Sequence, residues 1–170
     1  LEFACDRLKD DKEILLASVK QAGWTCCYAS EKLKGDKDVL IEACKNDGQV
    51  LYFASQELRD DKDVILEAIH NNPEALEFAS DRLKNDKDVM INAAKNDGQI
   101  LYFASEALRD DKDVVLEAVK NKPIILKYAS KRLRNDKQIA IAAVTKGKKN
   151  AFEFISEQLK QDEEIKEILG

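Results

Sequence analysis

The chain has 170 residues, 44% of them apolar and 36% charged, with 28 Lys and Arg against 33 Asp and Glu for a net charge of −5. That apolar content argues against a disordered tail. No run approaches the roughly 18–20 apolar residues of a membrane-spanning helix, and none resembles a secretory signal. The opening "LEFACDRL" has no Met and reads as the start of a fragment of a longer protein.

Four cysteines, Cys5, Cys26, Cys27 and Cys44, fall in the first quarter of the chain, without C-x-x-C spacing and with no His among them. Tetrahedral zinc needs convergent ligands at such spacings, so no metal or cofactor is expected. Reduced thiols acting as small apolar side chains fit better, in an intracellular, cytoplasmic protein. Cys27 fits this least well, because its counterparts in other repeats are Glu, Tyr and Lys.

The chain repeats itself every 25 residues: Asp11, Asp36, Asp61, Asp86, Asp111 and Asp136 are evenly spaced, and Asp162 follows after 26. A one-residue insertion near "TKGKKN" accounts for the last step. Leu8 to Leu133 and Ala4 to Ala129 keep the same period, with Ser30, Ser55, Ser80, Ser105 and Ser130 following the alanines. The predicted repeats are 1–25, 26–50, 51–75, 76–100, 101–125, 126–151 and a partial 152–170. A longer period lies over the first: residues 26–75 and 76–125 share 32 identities in 50, against 11 in 25 for the adjacent repeats 51–75 and 76–100. The duplicated piece is a pair of repeats.

Each repeat reads as a hairpin of two short helices, about 10 to 13 residues each. In residues 71–97 Asn72 is an N-cap with Pro73 at the first helical position, and Ala75, Leu76, Ala79 and Leu83 recur at helical spacing. Val89, Met90, Ala93 and Ala94 do the same for the second helix, with Asn92 and Lys95 left to water. The recurring "LRDDKDV" at Leu58 and Leu108 is then a turn: Asp61 and Asp111 cap the second helix, and Asp63 and Asp113 sit in its positive first turn. Calcium loops alternate their ligands around a Gly and end on a distant Glu, which this stretch lacks. The recurring serine is expected to bond back to its own helix. Neighbouring hairpins must stack to bury faces that none can bury alone. The predicted fold is therefore an all-α solenoid of about seven two-helix hairpins, with a right-handed superhelix expected, forming a single array over 1–170. Leu1 and Phe3 are unlike the polar capping repeat of a solenoid, whereas "DEEIKEILG" reads as a final helix closed by Gly170.

The units from Leu101, "LYFASEALRDDKDVVLEAV", and from Leu76, "LEFASDRLKNDKDV", resemble the repeats of domain-of-unknown-function family 4116, and the pattern covers essentially the whole chain. The resemblance implies repeats of about fifty residues, of the kind found in bacterial proteins, including effectors of intracellular bacteria that reach the host cytosol, and in protist proteins. It implies no activity, cofactor or catalytic residue.

Functional candidates are therefore surface features. The single His, His70, aligns with lysines and should face solvent, so no nucleophile has a base in reach; the protein is not expected to be an enzyme, and no catalytic residue is assigned. Charge is uneven: residues 119–150 carry 10 cations against 1 anion, while 1–118 carry 16 against 26. Lys120 and Lys122 fall in one loop between hairpins and Lys146, Lys148 and Lys149 in the next, which stacking would align along one edge; Lys131, Arg132 and Arg134 lie between them. Such a basic edge at 120–149 reads first as a solvated face, and otherwise suits an acidic protein, peripherally an anionic membrane surface, or nucleic acid. Sparse aromatic residues there count against single-stranded nucleic acid. Tyr52 and Tyr102 occupy a position that elsewhere holds Glu, Cys or Lys; packing at the edge of the core is the first reading of them, and a candidate contact surface the second. Trp24 aligns with Gln49, Glu74 and Gln99 and is expected to be exposed or to pack on an upstream segment. The leading functional reading is an interaction module for a protein partner, and the alternatives are a spacer between domains or an anion-binding edge.

Overall fold

The computed structural model describes residues 2–170; Leu1, one of the two apolar residues at the predicted start, lies outside them. Among the described residues there are helices and turns and no strand. Two compact units are present, Leu1–Leu83 and Lys84–Gly170. In the first, the helices α1 (Lys12–Gln21), α2 (Lys37–Asn46) and α3 (Lys62–Asn71) lie side by side in chain order, and three 3-10 helices, Gly23–Tyr28, Gly48–Phe53 and Pro73–Phe78, form a second layer against them. In the second, α4 (Lys87–Asn96), α5 (Lys112–Asn121), α6 (Lys137–Gly147) and α7 (Glu163–Leu169) are backed by Gly98–Phe103, Pro123–Tyr128 and a single α-turn, Lys149–Phe152.

The long helices follow from their sequence. Asp36 Oδ1 accepts the amides of Asp38 and Val39 at 3.1 and 3.2 Å, and its counterparts Asp61, Asp111 and Asp136 do the same for α3, α5 and α6. These bonds satisfy amides that have no partner within the helix. Val89, Met90, Ala93 and Ala94 are buried as the spacing predicts, and Asn92 and Lys95 are exposed. At the other end one residue serves two elements. Asn72, extended at φ −139°, stops α3, and its side chain accepts the Glu74 amide to start the next 3-10 helix, with Pro73 at its first turn. Asp47 and Asp97 act likewise.

The first helix of each predicted hairpin is not one helix. After Gly48–Phe53, Ala54 and Ser55 are extended, at ψ 150° and 158°, and a four-residue α-turn Gln56–Arg59 follows. The cause is the serine: its hydroxyl accepts the Leu58 amide at 3.4 Å, competing with continued helix as Ser does. The hydroxyl proton does not go back to its own helix either. Ser30 donates to Asp10 at 2.6 Å, Ser105 to Asn85 and Ser156 to Asn135 at 2.5 Å, and Ser80 and Ser130 donate to Asp60 and Asp110. Each of these acceptors belongs to the preceding repeat.

Two further sets of bonds also run from repeat to repeat. Lys37 at the start of α2 reaches both Asp61 and Asp63 at 2.8 Å, and Lys12, Lys87 and Lys137 bridge the equivalent acid pairs one repeat on. Lys112 holds Asp136 at 2.7 Å. At the opposite end of the helices, Asn71 Nδ2 donates to the Lys45 carbonyl at 3.0 Å while its Oδ1 accepts the Gly48 amide at 3.0 Å; Asn121 repeats this with Lys95 and Gly98 at 3.1 Å each. Lys146 takes the asparagine position in α6 and donates to the Lys120 carbonyl at 2.8 Å. The core between the layers is apolar throughout, with Leu40, Leu51, Ile65 and Leu76 buried in the first unit and Met90, Leu101, Leu126 and Leu133 in the second.

The inserted residue is visible where α6 runs to eleven residues and Lys148 turns to φ 47°, the one non-Gly residue with positive φ among those described. Gly170, at φ 85°, closes α7 as expected. Phe3 is 96% exposed.

The capping carboxylates predict how stability follows pH. Partial burial alone would raise the Asp36, Asp61, Asp111 and Asp136 carboxyls, but the lysine bonded to each, together with the two capped amides, outweighs it and holds them below their ordinary 3.8. A carboxyl depressed on folding stabilises the fold above its unfolded value, and that contribution is lost as pH falls through the folded one. Thermal melts should therefore be flat through neutral pH and drop as pH falls below about 4. Lys37→Gln should show a smaller drop than the parent; an identical acid profile would remove the lysine bridges from this account.

Candidate partner-binding surface

The 3-10 helices decide which aromatic rings reach the surface. In Gly48–Phe53 the turn buries Val50 and Leu51 against α2 and α3 and leaves Tyr52 61% exposed; in Gly98–Phe103 the same turn buries Ile100 and Leu101 and leaves Tyr102 53% exposed. Neither ring floats free. Tyr52 meets Phe53 and Phe78 edge to face, with centroids 5.1 and 5.7 Å away, and Tyr102 meets Phe103 and Tyr128 at 5.3 and 5.4 Å. The backbone beneath is held from the following turn: the Arg59 guanidinium donates to the carbonyls of Tyr52 and Ala54 at 2.5 and 3.1 Å, and Arg109 donates to that of Tyr102 at 2.7 Å. A ring with two torsions, already braced on both sides, loses little entropy when a partner covers it. Trp24 is also half exposed, 5.6 Å from Tyr28.

The basic residues divide between the two ends of the long helices. Lys120, Lys122, Lys146, Lys148 and Lys149 cluster at the C-terminal ends of α5 and α6; Lys120 and Lys146 lie in the last turns of these helices rather than in loops, and Lys146 Nζ donates to the carbonyls of Lys120 and Asn121. Lys148 Nζ donates to the Ile168 carbonyl at 3.0 Å. Lys131, Arg132 and Arg134 instead form the α-turn before the N-terminus of α6, about 16 Å away along an eleven-residue helix. Arg132 is committed there to Asp110, with Nε 3.0 Å from its carboxylate and a second bond to its carbonyl. The ten-cation stretch thus supplies two patches rather than one edge.

His70 is exposed at the end of α3. Among the described residues no three His, Cys, Asp or Glu side chains come together as metal ligands. Cys26 and Cys44 are buried, and burial pushes both thiols up to about 12, far from the thiolate that chemistry would use. Cys27 is half-buried and Cys5 exposed, and all four are free thiols. No helix among the described residues is long and apolar enough to cross a membrane.

The family model of a domain of unknown function, DUF4116, matches residues 1–34, 23–59, 61–109 and 111–160. The last two matches each cover about two repeats, in step with the fifty-residue pairing of the sequence. No curated protein and no solved structure matches the chain.

Proposed function

Since the chain belongs to the DUF4116 family of domains of unknown function, we propose that it is a non-catalytic helical-repeat module whose exposed face is offered to a protein partner. The observation that carries this reading is the recurrence of a braced, half-exposed tyrosine, Tyr52 in one unit and Tyr102 in the other, each at the same place in its 3-10 helix. Large aromatic residues exposed and pre-ordered on a charged surface are what interfaces use as anchors. Nothing in the packing requires the ring to be there, since the same position holds Glu77 and Lys127 in the alternate repeats.

Replacing both tyrosines by alanine and comparing bound proteins by quantitative pull-down tests the reading. Partner recovery should fall at least about tenfold, the effect of losing one strong anchor. The melting temperature should shift by only a few degrees, because exposed rings contribute little to the core. Unchanged recovery of every partner would remove this face from the proposal.

A further inference from the structure

Beside Tyr102 the second unit has a cleft of about 320 Å³ lined by Gln99, Tyr102, Lys122, Ile124, Lys127 and Tyr128. This is at the small end of ligand clefts, which run about 300–1,000 Å³, and it has room for one large side chain. Its lining is mixed: the apolar part is Tyr102 and Tyr128, edge to face, and Ile124, which is 42% exposed. Its rim is cationic. Lys127 Nζ lies 4.8 Å above the centre of the Tyr128 ring, and Lys122 Nζ bonds Gln99 Oε1 and stands 4.0 Å from Asp97, the nearest acid to it.

Three local departures from the repeat build this cleft. Lys122 occupies the N-cap of its 3-10 helix, where Asp47, Asn72 and Asp97 each supply a capping oxygen, and no side chain caps there. Giving up such a cap is destabilising, and a cation at that end of a helix is unfavourable besides. Ile124 puts an apolar side chain where Gln49, Glu74 and Gln99 are polar, as Trp24 does in the first repeat, and Lys127 replaces Glu77. In the first unit the positions matching Lys122, Ile124, Lys127 and Tyr128 are Asn72, Glu74, Glu77 and Phe78, so the same tyrosine and ring pair there carries acids instead of cations. Sequences that break a local rule without a structural gain do so at sites of use.

We infer that this cleft binds an acidic peptide segment of a partner, with one aromatic or aliphatic side chain entering between Ile124 and Tyr102 and flanking carboxylates meeting Lys122 and Lys127. The inference rests on the interaction-module reading and names the chemistry of the partner. Nucleic acid fits less well: the tyrosines meet at 73° and present an edge rather than a stacking platform, and two lysines do not make the charged track that a strand follows.

The test uses fluorescein-labelled peptides of sequence EEFEEL, EEGEEG and KKFKKL, with oligothymidylate as the nucleic-acid arm, titrated by anisotropy into the full chain at low ionic strength. EEFEEL should bind best and weaken as salt rises. Its affinity should fall at least about tenfold in Lys122→Glu/Lys127→Glu, the worth of one charge-assisted hydrogen bond, and comparably in Tyr102→Ala, while His70→Ala, at an exposed residue outside the cleft, leaves it unchanged. The charge-reversed variant, with helicity by circular dichroism as the check that it folds, should instead gain affinity for KKFKKL. Equal binding of EEGEEG or of oligothymidylate, or no binding of EEFEEL at all, would overturn the inference. Those results leave the module reading to its own pull-down, where loss of partners with the two tyrosines would still sustain it.

Discussion

Gly98→Val is expected to destabilise the second unit by more than about 3 kcal/mol, and Gly98→Ala by about 1–3 kcal/mol, the range for forcing atoms into a packed interior. A Cβ at Gly98 would overlap the carbonyl oxygen of Ala118 and come within 3.0 Å of the Lys122 amide nitrogen. Both are backbone atoms of the neighbouring α5 and its cap, so no side-chain rotation relieves the clash. The glycine is needed for close approach, because the 3-10 helix that it opens packs directly on that neighbouring helix. Gly48 stands in the same relation to Ala68 in the first unit. Urea melts of each variant would measure the effect, with Gly35→Ala as the control, since a Cβ there has only ordinary contacts at 3.5 Å and beyond. A Gly98→Ala midpoint equal to that of the control would mean the two layers are looser than the distances state.

Asn121→Ala should cost about 1–3 kcal/mol, for a reason that is polar rather than steric. The side chain is the acceptor for the half-buried Gly98 amide and the donor to the Lys95 and Asn96 carbonyls. Truncation leaves a backbone amide without its partner, and an unmet buried donor costs more than an average hydrogen bond contributes. Asn121→Asp separates the two halves of the clasp: it keeps an acceptor for Gly98 but presents a carboxylate to two carbonyl oxygens. It should therefore lose stability as well, and lose less once acid protonates it. Equal melts for parent and Asn121→Ala would show that solvent satisfies the Gly98 amide.

Much of this fold can be read from the chain alone, and the residues show where reading stops. Asp61 as a cap, Asp63 in the first turn, the buried stripe of Val89 to Ala94 and the Gly170 closure all follow from rules that act within a few residues, and the coordinates agree. The 25-residue period located the inserted residue, which sits where α6 gains its eleventh residue and Lys148 turns over. The broken first helix was missed because Ala75, Leu76, Ala79 and Leu83 are spaced equally well for an unbroken α-helix. The serine that interrupts it has, from its neighbours alone, the look of an interior residue bonded back to its own helix rather than of a cap. Asn46, Asn71, Asn96 and Asn121 recur at the same period and were visible as a column, yet nothing local says that an asparagine near a helix end reaches a carbonyl one repeat back. The surface was legible in part. The exposure of Tyr52 and Tyr102 could be inferred from the charged residues that replace them. The division of the cations was legible too, because any antiparallel hairpin puts residues 131–134, next to its turn, at the opposite end of α6 from Lys146.

The bonds between repeats have a further property in their spacing. Lysine reaches its acids 24 and 26 residues ahead, asparagine a carbonyl 26 or 27 behind, and serine an acid or amide 20 behind, each step to the last repeat being one residue longer for the lysine and serine bonds. Every donor finds its acceptor by counting along the chain, so a copied fifty-residue pair dropped between two existing repeats arrives with half of each clasp at either boundary and meets the complementary half already waiting. Gene duplication can lengthen such a protein without a compensating substitution in these clasps, which leaves the number of repeats free to drift while surface residues such as Lys127 for Glu77 diverge.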